Sequence, residues 1–282
     1  MATPSTALVL GSGGITGIAW ETGMIAGLRE HGIDLRNADL VIGTSAGAVV
    51  GAQIRSTLST EELYARQMMP RSDEIPARIS MKRVAEWIYL VKTARSPESA
   101  ARRVAKHAAG VYVADPVARL AAVSSRLPET AWPKRPLWIT AVNAKTGALK
   151  IFNNDSHATL AEAVTASCAI PFVWPPSLVD GVEYIDGGVR SPVNLNLAKG
   201  YDRVVALAPV TLAPRRAARL PAQLHELGHA RVTVVSPDAA SLHAIGPNTL
   251  DPTHAKAAAV AGREQAKAFE SSVREVWPTD DE

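Results

Sequence analysis

The chain has 282 residues, of which 47% are hydrophobic, and a formal net charge of +3 at neutral pH. This length and composition suffice for one domain with a large core, and the slight charge argues against a nucleic-acid-binding surface. The single cysteine, Cys168, excludes an intramolecular disulfide and a cysteine-rich metal site. The sequence contains no run of about 18 apolar residues, so we expect no membrane-spanning helix. We expect a single domain over residues 1–282. Since no Lys or Arg precedes Arg29 to form the basic region of a secretory signal, we also expect the protein to be cytoplasmic.

The first predicted element is a short apolar strand, Ala7–Leu10, that runs into a glycine-rich loop, Gly11–Gly17. A helical pattern follows from Ile18 to His31. Glycines allow backbone N–H groups to point outward, where an anion or oxyanion can approach them. The alternative is a dinucleotide-binding fingerprint. The glycine spacing is one residue too long for it, and the next strand does not end in an acidic residue.

The second predicted strand leads into the motif Gly43-Thr44-Ser45-Ala46-Gly47. Apolar residues at 40–42 and small residues at 46, 48 and 51 indicate a strand, a sharp turn and a helix, the setting of a nucleophile elbow. In such a turn the Ser45 hydroxyl stands above the sheet edge, near the positive end of the following helix. Gly43 and Gly47 would occupy the elbow positions that do not accommodate a side chain. The alternative is an ordinary strand-to-helix turn.

Residues 60–127 form a helical and basic stretch, with helices predicted at Met81–Ala94 and Glu98–Ala109. Residues 71–110 contain nine Lys or Arg against four Asp or Glu. The stretch is a candidate cap over the Ser45 face. The residues that would meet acyl chains or a lipid surface are Met68, Met69, Trp87, Ile88, Tyr89 and Leu90. The alternative is a packed helical insert with a solvated basic face.

Strands and helices alternate again after this insert, which predicts a three-layer α/β/α fold with a mainly parallel central sheet. The predicted strands are Leu137–Ala144, Ala148–Asn153, a hairpin at Leu178–Ile185 centred on Asp180-Gly181, Arg203–Val210 and Arg231–Ser236. The predicted helices are Ala158–Ala169 and His254–Trp277, followed by an acidic tail at Thr279–Glu282.

Three motifs in this order resemble those of the patatin-like phospholipases: the glycine loop, the Ser45 motif, and Asp186-Gly187-Gly188 after a short strand. The proline-containing block Ala166–Pro176 is similar to the one that this family has between its two catalytic residues. The resemblance covers about residues 5–210. It implies a patatin-like serine acyl hydrolase that cleaves lipid esters of the phospholipid or lysophospholipid class. It further implies a Ser-Asp dyad of Ser45 and Asp186, without a histidine.

A serine hydroxyl needs a base within hydrogen-bond reach and donors for the oxyanion of the tetrahedral intermediate. We expect Asp186 to take the proton of Ser45 and later to activate the water that clears the acyl-enzyme. The backbone N–H groups of Gly13 and Gly14 are the expected oxyanion hole, because the first two strands are predicted neighbours in the sheet. This chemistry needs neither a metal nor an organic cofactor.

Two positions of the glycine loop depart from the family pattern. Thr16 stands where the family usually has a basic residue, and Ser12 where it commonly has glycine. Backbone donors tolerate both changes. The missing positive charge predicts a different rate or substrate preference.

Two other functions remain open. A Ser-Asp-His esterase needs a histidine in a loop near the last strand, and His243 fits this position better than His225, His229 or His254, which fall on helical stretches. A nonhydrolytic lipid- or acyl-binding protein would keep the fold with a weak site, as Thr16 hints. The expected partners are a lipid ester substrate and a membrane surface, which the basic insert would contact peripherally. Nucleic acid is not an expected partner.

Overall fold

The computed structural model describes residues 4–70 and 74–277, and the predicted tail Thr279–Glu282 lies outside them. Within these residues the chain forms eight strands in one sheet and ten α-helices. The strands are β1 Thr6–Leu10, β2 Leu40–Thr44, β3 Leu137–Asn143, β4 Leu149–Phe152, β5 Ser177–Val179, β6 Val182–Asp186, β7 Arg203–Leu207 and β8 Arg231–Val235. The helices are α1 Gly14–Glu30, α2 Ala46–Ile54, α3 Thr60–Met68, α4 Met81–Lys92, α5 Pro97–Ala108, α6 Pro116–Ser124, α7 Leu160–Ser167, α8 Leu220–Glu226, α9 Ala239–Ile245 and α10 Ala255–Arg274.

The sheet has the order β5-β6-β3-β2-β1-β7-β8, with β4 also paired to β3. Strands β3, β2, β1, β7 and β8 run parallel, whereas β4, β5 and β6 form antiparallel pairs beside β3. The central parallel strands β1, β2 and β7 are almost wholly buried, whereas the edge strand β8 is only partly buried. In β1, for example, Leu8 and Leu10 enter one core, and Ala7 and Val9 enter the other.

Helices cover both faces of the sheet. Helices α1, α2, α7 and α10 pack on one face and form the main core. Helix α8 and residues 193–201 cover the other face. The predicted three-layer α/β fold with a mainly parallel sheet is therefore confirmed.

The insert between β2 and β3 contains α3 to α6 and is partly packed into the fold. Leu90 and Val91 of α4 are buried in a cluster with Val142 of β3 and Ile185 of β6. Met68 packs against the main core, as expected for a packed insert rather than for a cap that meets lipid. Within the part of the chain that the structure describes, no helix combines the length and the apolar character needed to cross a bilayer.

The strand register brings the three sequence motifs together. Leu10 pairs with Gly43, so the glycine loop after β1 starts level with the Ser45 turn after β2. Thr44 pairs with Thr140 of β3. The next residue of β3, Ala141, pairs with Asp186 at the end of β6. Ser45 follows β2 and Asp186 ends β6, so the two residues lie on opposite sides of β3 and at almost the same level. The backbones of β2 and β6 are two strand spacings apart, about 10 Å.

Candidate active site

Ser45 lies in a sharp turn between β2 and α2. Its backbone has φ 55° and ψ −112°, a combination that is rare for residues with a side chain and that marks local strain. A Cβ atom at Gly43 would clash with the carbonyl oxygen of Gly47, and a Cβ atom at Gly47 would clash with the backbone carbonyl of Leu10. Both glycines thus stand where the turn passes too close to backbone for a side chain.

The end of α7 holds the peptide groups on both sides of Ser45. The Ser45 N–H group donates to the Ser167 hydroxyl at 2.8 Å, and the Cys168 thiol donates to the Ser45 carbonyl at 3.3 Å. Burial raises the pKa of Cys168 to about 11, so this group remains a protonated donor at neutral pH. Ser167 and Cys168 therefore stabilise the strained turn. No sequence pattern marked them, because Ser167 is 122 residues away from Ser45.

The Ser45 side chain interacts with the Asp186 carboxylate across β3 and favours its ionised form, and both residues line one cavity. The carboxylate accepts a hydrogen bond of 2.7 Å from the Gly188 N–H group. Asp186 is 3% exposed, and burial raises its pKa from 3.8 to about 6 against the opposing effects of Ser45, of the Gly188 N–H group and of Arg119. At neutral pH it is therefore mostly ionised, yet more basic than an ordinary aspartate.

A buried polar network fixes the loop that follows Asp186. The Asn194 side chain donates to the Thr44 hydroxyl at 3.1 Å and to the Ser191 carbonyl at 2.9 Å. The Thr44 and Thr140 hydroxyls share a further bond of 2.9 Å. These contacts tie the loop to the strand end that carries Ser45. Asn194 stands in no motif that the sequence analysis recognised.

The glycine loop presents unused donors beside Ser45. The N–H groups of Gly13, Gly14 and Ala46 donate no hydrogen bond within the described residues. Gly13 and Gly14 line the same cavity as Ser45, and α1 begins at Gly14, so the positive end of its dipole lies there. The Ser12 hydroxyl lines this cavity too, and it is buried without a partner in the described part of the chain. A ligand oxygen at this place would meet several free donors.

A buried cation from the insert lies behind the Ser45 turn. Arg119 of α6 is 4% exposed, stacks on the Trp174 ring at 4.1 Å and donates to the Cys168 carbonyl at 3.5 Å. Its Nε and Nη1 atoms have no partner among the described residues. Burial lowers the pKa of Arg119 to about 10, so the group stays charged at neutral pH and favours the ionised form of Asp186.

A cavity of about 530 Å³ opens over Ser45 and Asp186. Beyond the polar glycine loop its wall is mainly apolar, and Val84, Trp87 and Ile88 of α4 form one side. A cavity of this volume with a mainly apolar wall suits an apolar ligand. Of the apolar residues predicted to meet acyl chains, Trp87 and Ile88 line this cavity. Leu90 is buried in the fold, while Met69 and Tyr89 are exposed.

His243 lies in helix α9, with an exposed side chain, and it does not line the cavity. The prediction that His243 lies in a loop is wrong. Asp238 caps the helix that contains it, because its carboxylate accepts a hydrogen bond of 2.8 Å from the Ser241 N–H group. Among the described residues no histidine lines this cavity.

Comparison with protein families matches residues 8–199 to the patatin-like phospholipases. This range includes the glycine loop, the Ser45 motif and Asp186. The chain belongs to the patatin-like phospholipase family, and this membership supports lipid-ester hydrolysis as the class of its activity.

Two solved structures are similar to the chain. VipD from Legionella pneumophila is 17% identical, with a TM-score of 0.47 over 96% of this chain and 67% of VipD. The type III effector protein ExoU is 20% identical, with a TM-score of 0.39 over 95% of this chain. The chain spans about half the length of ExoU, 54% of it.

Proposed function

We propose that the protein is a serine acyl hydrolase that cleaves lipid carboxylic esters of the phospholipid or lysophospholipid class. Ser45 is the nucleophile and Asp186 the base. The observation that carries this proposal is that the strand register brings Ser45 and the buried Asp186 carboxylate together in the wall of one mainly apolar cavity. Membership in the patatin-like phospholipase family supports it independently.

In the first half of the reaction, Asp186 accepts the hydroxyl proton as the Ser45 oxygen attacks the ester carbonyl carbon. The N–H groups of Gly13 and Gly14, joined by that of Ala46, stabilise the resulting oxyanion. Each such donor contributes on the order of 3 kcal/mol. Asp186 then protonates the leaving alcohol or lysolipid, and the acyl group remains on Ser45.

In the second half, Asp186 takes a proton from a water molecule that attacks the acyl-enzyme, and the free acid leaves. The same carboxylate thus serves both half-reactions. The contacts of Ser167 and Cys168 hold the Ser45 backbone in one strained geometry throughout, so little reorganisation accompanies the attack.

We further propose that the protein is cytoplasmic and binds peripherally to a membrane through the surface beside the cavity. Met81 and Tyr89 of α4 are exposed, as is Leu212, which is 86% exposed and lines the cavity. Lys92 of the same helix lines the cavity as well. Exposed apolar side chains next to basic ones are typical of surfaces that bind anionic membranes.

The two alternatives receive less support. His243 is exposed and does not line the cavity, so the geometry does not favour a Ser-Asp-His triad. A protein that only binds lipids would have no use for a strained serine in contact with a buried carboxylate.

The pH dependence of ester hydrolysis tests the proposal. With 4-nitrophenyl butyrate as a soluble substrate, kcat/KM should fall as the pH drops below about 6, because protonated Asp186 cannot accept the Ser45 proton. Removing the nearby cation by Arg119→Met should move this limb to higher pH, whereas Arg119→Lys should leave it nearly unchanged. A wild-type rate that stays constant from about pH 7 down to about pH 5 would contradict the role of Asp186 as the base.

A further inference from the structure

We propose that the outer end of the active-site cavity is an anion-binding subsite that recognises the negatively charged headgroup of the ester substrate. The subsite consists of Lys92 at the end of α4 and of Arg215 and Arg216 in the loop between β7 and α8. This inference rests on the proposed hydrolysis at Ser45. It specifies the substrate class, since esters with a net anionic, phosphate-bearing headgroup should be preferred over zwitterionic ones.

The cavity over Ser45 adjoins a second cavity, with which it shares lining residues. The outer cavity, of about 620 Å³, lies at the end of α4 and is more open to solvent. Lys92, Pro214 and Arg215 line both cavities. A single amphiphilic molecule with its ester at Ser45 would therefore have its far end beside residues that also line the outer cavity.

The charged side chains along this path are nearly all cations. The cations that line the two cavities are Lys92, Arg190, Arg215, Arg216 and Arg219. Asp186, at the catalytic end, is the one carboxylate among the described residues that line either cavity. Like charges around a concave surface reinforce one another, so the outer cavity attracts anions.

Three of these cations have donors to spare. The side chains of Lys92 and Arg216 are exposed and make no hydrogen bond or ion pair with any described residue. Arg215 donates through Nη1 to the carbonyls of Val91 and Ala94, at 3.2 and 2.8 Å. These bonds order its guanidinium, whereas Nε and Nη2 have no partner in the described part of the chain. An ordered guanidinium beside two unpaired cations suits the oxygens of a phosphate group.

The other two cations serve the fold. The Arg190 guanidinium bonds to the side chains of Asn194 and Asn196, and Arg219 donates to the Ala213 carbonyl at 3.2 Å. Between the catalytic end and Lys92, Arg215 and Arg216, the wall is apolar and includes Trp87 and Val91. The path therefore matches an amphiphile with an apolar chain and a separate anionic group.

Short-chain lipids below their critical micelle concentrations test headgroup recognition without a membrane surface. We would measure kcat/KM for dihexanoylphosphatidic acid and dihexanoylphosphatidylcholine with the wild type and with the double variant Lys92→Gln, Arg216→Gln. The wild type should prefer the anionic lipid about tenfold, and the double variant should lose most of this preference through a higher KM. Arg231→Gln, which removes an exposed cation at the start of β8 and the opposite end of the sheet, should keep the wild-type preference.

Equal kcat/KM values for the two lipids in the wild type, or an unchanged preference in the double variant, would overturn the subsite. A preference that appears with vesicles of the anionic lipid but not with monomers would assign the cations to a membrane surface and would also overturn it. Failure of the proposed function itself is distinguishable, because the wild type would then hydrolyse neither lipid nor 4-nitrophenyl butyrate. In that case calorimetry still tests the subsite, by comparing the dissociation constants of decyl phosphate and decylphosphocholine. Decyl phosphate should bind more tightly, and equal binding would overturn the subsite.

Discussion

Ser45→Ala and Asp186→Asn should each lower the rate of ester hydrolysis by about four orders of magnitude or more. Ser45→Ala removes the attacking oxygen. Asp186→Asn keeps the shape of the side chain and its bond from Gly188, but an amide cannot take the serine proton. Single-turnover assays with 4-nitrophenyl butyrate measure both losses. Substantial activity in Asp186→Asn would contradict the dyad.

Asp186→Asn should also stabilise the protein, which separates loss of catalysis from loss of fold. Because burial raises the pKa of Asp186 from 3.8 to about 6, the native state binds this proton more tightly than the unfolded chain does. The ionised carboxylate therefore destabilises the fold, by an amount that grows as the pH rises from about 4 to about 6 and is complete above that range. At neutral pH the amide should raise the free energy of unfolding by up to about 3 kcal/mol. A lower thermal midpoint than that of the wild type would contradict a buried, ionised Asp186.

Gly47→Ala should destabilise the protein by about 3 kcal/mol or more, because the added methyl group meets backbone on a neighbouring strand. Its Cβ atom would clash with the carbonyl group of Leu10, and the Gly47 N–H group also donates to the Gly11 carbonyl at 2.9 Å. Neither strand β1 nor the glycine loop is able to move away without disturbing the sheet. Denaturant titration measures the loss.

Gly51→Ala, one turn further along α2, is the matched control for that substitution. Its Cβ atom would meet side-chain methyl groups of Leu137 and Val41, at 3.0 and 3.2 Å, and these can shift. Alanine is also the better helix former by about 1 kcal/mol, so this change should be close to neutral. Equal stability of the Gly47 and Gly51 variants would show that the Ser45 turn does not need its glycine.

Patterns that are local in the sequence predicted the fold well. The hairpin expected at Leu178–Ile185 forms β5 and β6, and the alternation of strands and helices gave the correct class. Helix α1 begins at Gly14, four residues before the predicted start at Ile18. Glycines weigh against a helix in any propensity argument, but the Thr16 N–H group donates to the Thr249 carbonyl, a contact with a distant segment.

Contacts between distant segments account for what could not be predicted at the candidate site. Serine, cysteine and arginine have many ordinary roles in proteins, so their types alone indicate nothing here. The roles of Ser167, Cys168 and Arg119 at the site arise from the packing of α6 and α7 against the Ser45 turn. Motif order suggested that Ser45 and Asp186 meet. Their meeting depends on the register across β3, which a single sequence does not encode in any local pattern.

Labelling with a fluorophosphonate, followed by mass analysis of the peptides, tests most directly whether Ser45 is an activated nucleophile. The wild type should carry one label, on the peptide that contains Ser45. Ser45→Ala should carry none, and Asp186→Asn should react more slowly by orders of magnitude. Label on a different serine, or no label on a folded wild type that is accessible to the reagent, would contradict the assignment of Ser45 and Asp186 as the catalytic pair.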